Sequence, residues 1–165
     1  MRLSDLTTIG LGGPARAFIR AGTDDELIDA VATADASGEP LLILGGGSNL
    51  IVADAGFDGT VVQVATRGLT RDGEPGTVTV AAGEDWDEVV ARTLAEGLAG
   101  LECLSGIPGR AGATPIQNVG AYGQEVSQVI TGVRAYDRVT GKICQFRGDQ
   151  CGFGYRTSVL KQDDA

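Results

Sequence analysis

Three consecutive glycines followed by a serine and an asparagine, Gly45-Gly46-Gly47-Ser48-Asn49, are residues of a type and spacing suited to holding a charged ligand. Glycine lets the backbone turn sharply and lets a bulky group approach the main chain without meeting a Cβ. Ser48 and Asn49 add a hydroxyl and an amide that donate to anionic oxygens alongside the loop N–H groups. The chemistry this suits is diphosphate binding. The loop is not a Walker motif, because no Gly-Lys-Ser/Thr follows at the required spacing. Nor is it the dinucleotide fingerprint, because its glycines are contiguous and no long helix obviously begins behind them. Taken alone, an ordinary tight loop is the competing reading.

A second stretch, from Gly100 to Gly123, is rich in glycine and poor in charge, with Ile107, Ile116, Val119 and Tyr122 spaced through it. A disordered linker is more polar than this, and a long compact loop without regular structure is usually functional. Small residues let backbone amides face a flat group while Ile and Tyr side chains wall it. The pattern suits a large planar aromatic cofactor.

Composition narrows the remaining chemistry. The 165 residues contain no histidine, so acid–base steps fall to carboxylates, hydroxyls, Lys, Tyr or Cys, and no metal site is expected. Three cysteines, Cys103, Cys144 and Cys151, without a CxxC pair, read as reduced thiols of a cytoplasmic protein. With 13 basic and 22 acidic residues the net charge is −9, and no basic cluster occurs, so neither nucleic acid nor an anionic membrane is an expected partner. Mean hydropathy of +0.06 fits a soluble globular chain. Neither a signal-peptide core nor an apolar run of membrane-spanning length is present.

The elements that must position these loops follow in order. Thr7-Thr8-Ile9 through Gly12-Gly13 is an amino-terminal loop, and a short strand covers Ala17–Arg20. Thr23 or Asp24 caps a helix with Leu27, Ile28, Val31 and Ala34 at helical spacing, ended by Gly38 and Pro40. The apolar run Leu41–Leu44 reads as a buried strand leading into the glycine loop, and a further strand covers Thr60–Val64. This is a small βαβ unit with its glycine loop at the carboxyl end of a strand, where open α/β sheets bind ligands. A second unit starts near Gly68. Its strand Val78–Ala82 turns at Gly83 into a helix with Glu84, Asp85, Asp87 and Glu88 in the first turn, where carboxylates complement the helix dipole. Trp86, Val89, Val90, Leu94 and Leu98 form its apolar face. Gln128–Asp137 and Lys142–Phe146 form a hairpin, and Asp149–Gly152 a brief helical turn.

Four blocks together resemble the amino-terminal half of the UDP-N-acetylenolpyruvoylglucosamine reductase family. They are Thr7–Ile9 through Gly13, Leu42–Asn49, Ile107–Gly109 through Pro115–Gly123, and Gly154–Ser158 with Lys161. The resemblance implies an α+β fold of the two-subdomain, vanillyl-alcohol oxidase FAD-binding type. Residues 1–67 would be a βαβ subdomain, and 68–165 a mixed or antiparallel sheet subdomain without the substrate-binding domain. It further implies non-covalent FAD, NADPH as co-substrate and a UDP-sugar substrate. Gly45, Gly46, Gly47, Ser48 and Asn49 would wrap the pyrophosphate. Ile107, Pro108, Gly109, Thr114, Ile116, Gln117, Gly120 and Tyr122 would line the flavin. Arg156 corresponds to the family's active-site arginine, and Tyr155 either walls the substrate site or packs. Lys161 reads as solvated and Ser158 as a local cap. The family's proton-donating serine and assisting glutamate match no residue of this chain. The chain end shortly after Lys161 therefore suggests a fragment or split gene product, inactive alone, that a partner chain or a missing carboxyl-terminal domain would complete. The alternative is a non-catalytic flavin- or nucleotide-binding module.

Overall fold

The structure, a computed structural model, describes residues 1–71 and 73–162. The last three residues of the chain end, 163–165, lie outside the described residues. The chain divides into two compact units, Met1–Arg67 and Gly68–Ala165. Among the described residues no helix is long and apolar enough to cross a membrane.

In the first unit β1 (Ala15–Ala21), β2 (Leu41–Leu44) and β3 (Phe57–Val64) form a parallel sheet in the order β1-β3-β2. The crossover from β1 to β2 is α1 (Asp24–Ser37). Thr23, and not Asp24, is its cap: the Thr23 hydroxyl accepts the Glu26 N–H at 3.2 Å, and Asp24, Asp25 and Glu26 occupy the positive end of the helix. Gly38 ends the helix in the left-handed region, at φ 67°.

The sheet is fixed from its centre outwards. Val61 and Val62 on β3 point to opposite faces and both are fully buried. Val62 packs with Ala21, Ala30, Leu27 and Leu41 under α1, while Val61 packs with Leu3, Leu44, Phe18 and Val52 on the other face. Each such burial stabilises by about 1.5–3 kcal/mol, so β3 is held on both sides. The expectation of a buried β2 needs correcting. It is an edge strand with one neighbour, and although Leu44 is buried, Ile43 remains 43% exposed.

Among the described residues of the second unit β structure is antiparallel and occurs as three separate two-stranded ladders. They pair β4 (Leu69–Thr70) with β5 (Thr79–Val80), β6 (Gly120–Ala121) with β7 (Gln124–Glu125), and β8 (Gly132–Asp137) with β9 (Lys142–Arg147). The strand expected over 78–82 shrinks to β5: the Ala81 N–H still bonds the Gly68 carbonyl in register with β4, but the Ala82 carbonyl turns to the Gly112 N–H. The strand expected from Gln128 starts at Gly132, since Val126–Gln128 is a 3₁₀ turn.

The core of this unit gathers on α2 (Trp86–Ala95). This helix starts two residues later than its acidic pattern suggested, because Asp85 is the cap and accepts the Asp87 N–H at 3.2 Å. Glu84 therefore lies outside the helix, buried, with its carboxylate on the Gly68 N–H at 2.7 Å. Leu94, expected on the apolar face, is 41% exposed, and Thr93 is buried in the stripe with Trp86, Val89 and Val90. Burial of Thr93 is tolerated because its hydroxyl donates to the Val90 carbonyl. A last short helix, α3 (Val159–Gln162), ends the described chain.

Candidate functional site

In the first unit the glycine loop leaves the carboxyl end of β2 and is gripped from the amino-terminal side. The Thr8 N–H donates to the Gly47 carbonyl at 3.0 Å. Gly47 is buried with φ 67°, and a Cβ on it would overlap the Leu6 carbonyl oxygen. Gly47 is thus required for main chain to meet main chain, in a conformation that residues with a Cβ rarely adopt. Gly45, Gly46 and Ser48 are half-buried and Asn49 is exposed. The amino-terminal loop, itself braced by the Thr7 hydroxyl on the Leu11 carbonyl (2.8 Å), is the wall on which the glycine loop rests.

In the second unit the residues just before α2 and in its first turn hold the stretch from Leu104 to Gly112. Asp87 accepts both the Ser105 hydroxyl and the Gly106 N–H at 2.7 Å, and these donors, Gly106 first, hold its carboxyl below the usual carboxylate range. Trp86 donates its backbone N–H to the Gly109 carbonyl and its indole N–H to the Leu104 carbonyl, and the Glu84 carbonyl accepts the Ala111 N–H. The acidic residues are therefore more than a complement to the helix dipole. Ile107 packs against the Trp86 core, and Thr114 is buried with its hydroxyl on the Ala111 carbonyl.

Four of the expected residues converge on one cavity of about 280 Å³ in this unit. Gly120, Tyr122, Tyr155 and Arg156 line it together with Glu125 and Gln128. The cavity is too small for a dinucleotide and suits a small polar group. Tyr122 and Tyr155 are 92% and 86% exposed, which leaves two flat aromatic faces beside a guanidinium. Arg156 donates from Nη2 to the Gly120 carbonyl at 2.6 Å and lies 5.9 Å from the Tyr155 ring centre. That bond engages one of the five N–H donors of the guanidinium. Lys161, exposed, donates to the Arg156 carbonyl at 3.0 Å, and Ser158 caps α3 through the Leu160 N–H.

Backbone strain singles out the same place. Among the described residues, those other than glycine with positive φ are Asn118 (44°), Tyr122 (51°) and Arg156 (54°). Each left-handed residue costs about 1–2 kcal/mol, and such strain concentrates at functional sites. Ile107, Pro108, Gly109, Thr114, Ile116 and Gln117 do not line this cavity.

Sequence reasoning missed Asn118, Glu125 and the holding role of Asp87. Nothing beside it in the sequence, between Gln117 and Val119, marks Asn118 as buried, and its partners lie up to 36 residues away.

The model of a family described as "FAD binding domain" matches residues 15–147. UDP-N-acetylenolpyruvoylglucosamine reductase of Streptomyces coelicolor is 57% identical over 98% of this chain, which spans 42% of that protein's length. The crystal structure of UDP-N-acetylenolpyruvylglucosamine reductase from Thermus caldophilus superposes with a TM-score of 0.79 at 32% identity, over 99% of this chain and 57% of that one. Aclacinomycin oxidoreductase shares the fold at a TM-score of 0.62 and 21% identity, over 86% of this chain and 31% of that one. The chain spans less than half the length of the curated relatives it matches. The fold is the two-subdomain FAD-binding fold of the vanillyl-alcohol oxidase type.

Proposed function

The chain belongs to the FAD-binding domain family, and from that premise we propose that it is the FAD-holding part of an NADPH-linked UDP-N-acetylenolpyruvoylglucosamine reductase of peptidoglycan synthesis. The observation that carries this reading is the cavity in which strained Tyr122 and Arg156 stand beside exposed Tyr155. Its size and its single guanidinium fit a small carboxylated group such as an enolpyruvyl ether. Three free cysteines support a cytoplasmic setting.

The residues present fit the cofactor. The glycine loop supplies a small-residue turn at a strand's carboxyl end, and the Ile107–Tyr122 stretch supplies backbone anchored at Gly109 by Trp86 and at Ala111 by Glu84, with Asp87 holding Gly106 just before it. Gly45, Gly46, Gly47, Ser48 and Asn49 would hold the pyrophosphate. Ile107, Pro108, Gly109, Thr114, Ile116, Gln117, Gly120 and Tyr122 would hold the flavin, without a covalent tether. FAD, when bound, supplies hydride transfer between NADPH and the substrate carbon. The chain's own residues orient and stabilise: Arg156 grips the substrate carboxylate and offsets the negative charge that grows on it and on the adjacent carbon. Tyr155 walls the same group. No residue of this chain is assigned as proton donor, and general acid catalysis is worth about 10²–10⁴-fold.

The expected behaviour of the 165-residue chain follows from these assignments. Under anaerobic conditions NADPH bleaches its bound flavin, but FAD, NADPH and substrate together yield no UDP-N-acetylmuramate above background. Failure of NADPH to bleach the flavin favours a non-catalytic flavin-binding module. Sustained turnover by this chain alone would mean that it carries its own proton donor.

A further inference from the structure

We propose that Asn118 is a positioning residue for Arg156, clasping the turn that presents the guanidinium to the cavity. Asn118 is 1% exposed and holds a left-handed backbone at φ 44°. Its Nδ2 donates to the Gly154 carbonyl at 2.9 Å and to Glu125 Oε2 at 2.8 Å, and its Oδ1 accepts the Ser127 N–H at 3.1 Å. Two donors and one acceptor are all in use, which is what a side-chain amide offers at a buried position.

The turn it grips is short and closed on itself. Gly154 and Thr157 exchange backbone bonds of 3.0 and 3.3 Å, and Tyr155 and strained Arg156 form the tip between them. Three contacts seat this turn on alternate residues of one segment. The fully buried Ser158 hydroxyl donates to the Ile116 carbonyl at 2.7 Å, Asn118 holds the Gly154 carbonyl, and Arg156 itself reaches the Gly120 carbonyl. Ile116 to Gly120 is therefore a rail for the turn, and Asn118 is the rung whose side chain does the holding. The left-handed Arg156 backbone, at φ 54°, is strained for a residue with a Cβ, so it persists only while neighbouring contacts over-determine it.

Asparagine is specified closely. The substitution Asn118→Asp nearly preserves the shape, but it sets carboxylate oxygens against Glu125 and the Gly154 carbonyl in place of two donors, leaving buried groups unpaired. Asn118→Gly keeps the left-handed backbone at little cost and removes the clasp without burying a charge.

The clasp is independent of what Arg156 binds, and only the ligand arm of the test rests on the proposed function. In the FAD-loaded chain, Asn118→Gly and Asn118→Asp should raise amide hydrogen exchange at Thr157 and Gly154 by about tenfold, the scale of one lost hydrogen bond, with α2 amides unchanged. Binding of UDP-N-acetylenolpyruvoylglucosamine, followed by flavin absorbance, should weaken about tenfold. Binding of UDP-N-acetylglucosamine, which lacks the carboxylate, should not change. In an Arg156→Ala background, Asn118→Gly should have no further effect on substrate binding, because the pair acts as one unit. Unchanged exchange at Thr157 would overturn the clasp. Multiplying effects of the two substitutions on binding would overturn its action through Arg156. If the unsubstituted chain ignores the substrate while Thr157 exchange still responds, the functional reading falls and the clasp stands.

Discussion

The two candidate ligand-holding regions of this chain differ in how far side chains share in holding them. In the first unit the glycine loop is held main chain to main chain, Thr8 N–H to Gly47 carbonyl, with Gly47 lying against the Leu6 carbonyl. In the second unit side chains join the backbone in the holding: beside the Trp86–Gly109 and Glu84–Ala111 backbone bonds stand Asp87 on Ser105 and Gly106, Asn118 on Gly154, and Ser158 on Ile116. A backbone-on-backbone contact is short, rigid and specified by the lack of a side chain. A clasp made by side chains is specified by the donors and acceptors they carry, and it can hold a strained residue such as Arg156 over a long sequence separation. The first arrangement suits an invariant anionic group, the second a reactive geometry that has to be set to a fraction of an ångström.

The largest effect that would separate the two designs is expected at Gly47. Gly47→Ala combines a left-handed penalty of about 1–2 kcal/mol with overpacking of about 1–3 kcal/mol. Gly38 has the same φ of 67° with nothing within 4 Å of a Cβ, so Gly38→Ala should show the first penalty alone. Denaturant unfolding of both variants measures the difference, and equal losses would mean that the close approach to Leu6 carries no cost.

Next in size is Ser158→Ala. It strips a fully buried hydroxyl that donates to Ile116 and accepts from Leu160, and a buried group left unpaired costs about 1–3 kcal/mol. Its effect on thermal stability should exceed that of Ser48→Ala. The latter should weaken FAD binding by no more than about 1.5 kcal/mol, the range of one neutral hydrogen bond, while Gly47→Ala weakens it further. An FAD titration in which Ser48→Ala is the more damaging would reject the backbone-built loop as the pyrophosphate cradle.

The smallest effect is a pH dependence confined to the second unit. The Asp87 carboxyl lies below its ordinary range in the folded chain because Gly106 and Ser105 donate to its charged form. A lowered folded value means that the unfolded chain binds more protons. The stabilisation is therefore present at neutral pH and is lost as acid titrates the group below about pH 4. Amide exchange at Gly106 should rise there in the parent chain but be insensitive to pH-linked loss in Asp87→Asn, once corrected for intrinsic exchange.

Sequence alone revealed those parts of the fold whose causes are local. The helix Asp24–Ser37 is bracketed by a threonine cap and a left-handed glycine within fifteen residues of each other, and both signals operate. The glycine loop and the hairpin of β8 and β9 are local in the same sense. The misplacements share a different origin. Leu94 and Thr93 both fit a helical stripe, and tertiary packing on α2 decided between them; the Val90 carbonyl only makes the burial of the Thr93 hydroxyl tolerable. Ile43 stands half-exposed because β2 became the edge strand, which depends on β3 inserting between β1 and β2. Arg156 drew notice only through the block of residues around it, since nothing local marks an arginine as strained. The contact from Asn118 to Gly154 spans 36 residues and follows from tertiary packing.

The most direct measurement is fluorescence titration of FAD with the purified, folded 165-residue chain, with Gly47→Ala as the comparison. Saturable quenching at one FAD per chain is expected, with a weakened affinity in the variant and full release of the yellow colour into the supernatant on acid precipitation. Absence of saturable binding by a chain shown to be folded would contradict the assignment of an FAD-holding role.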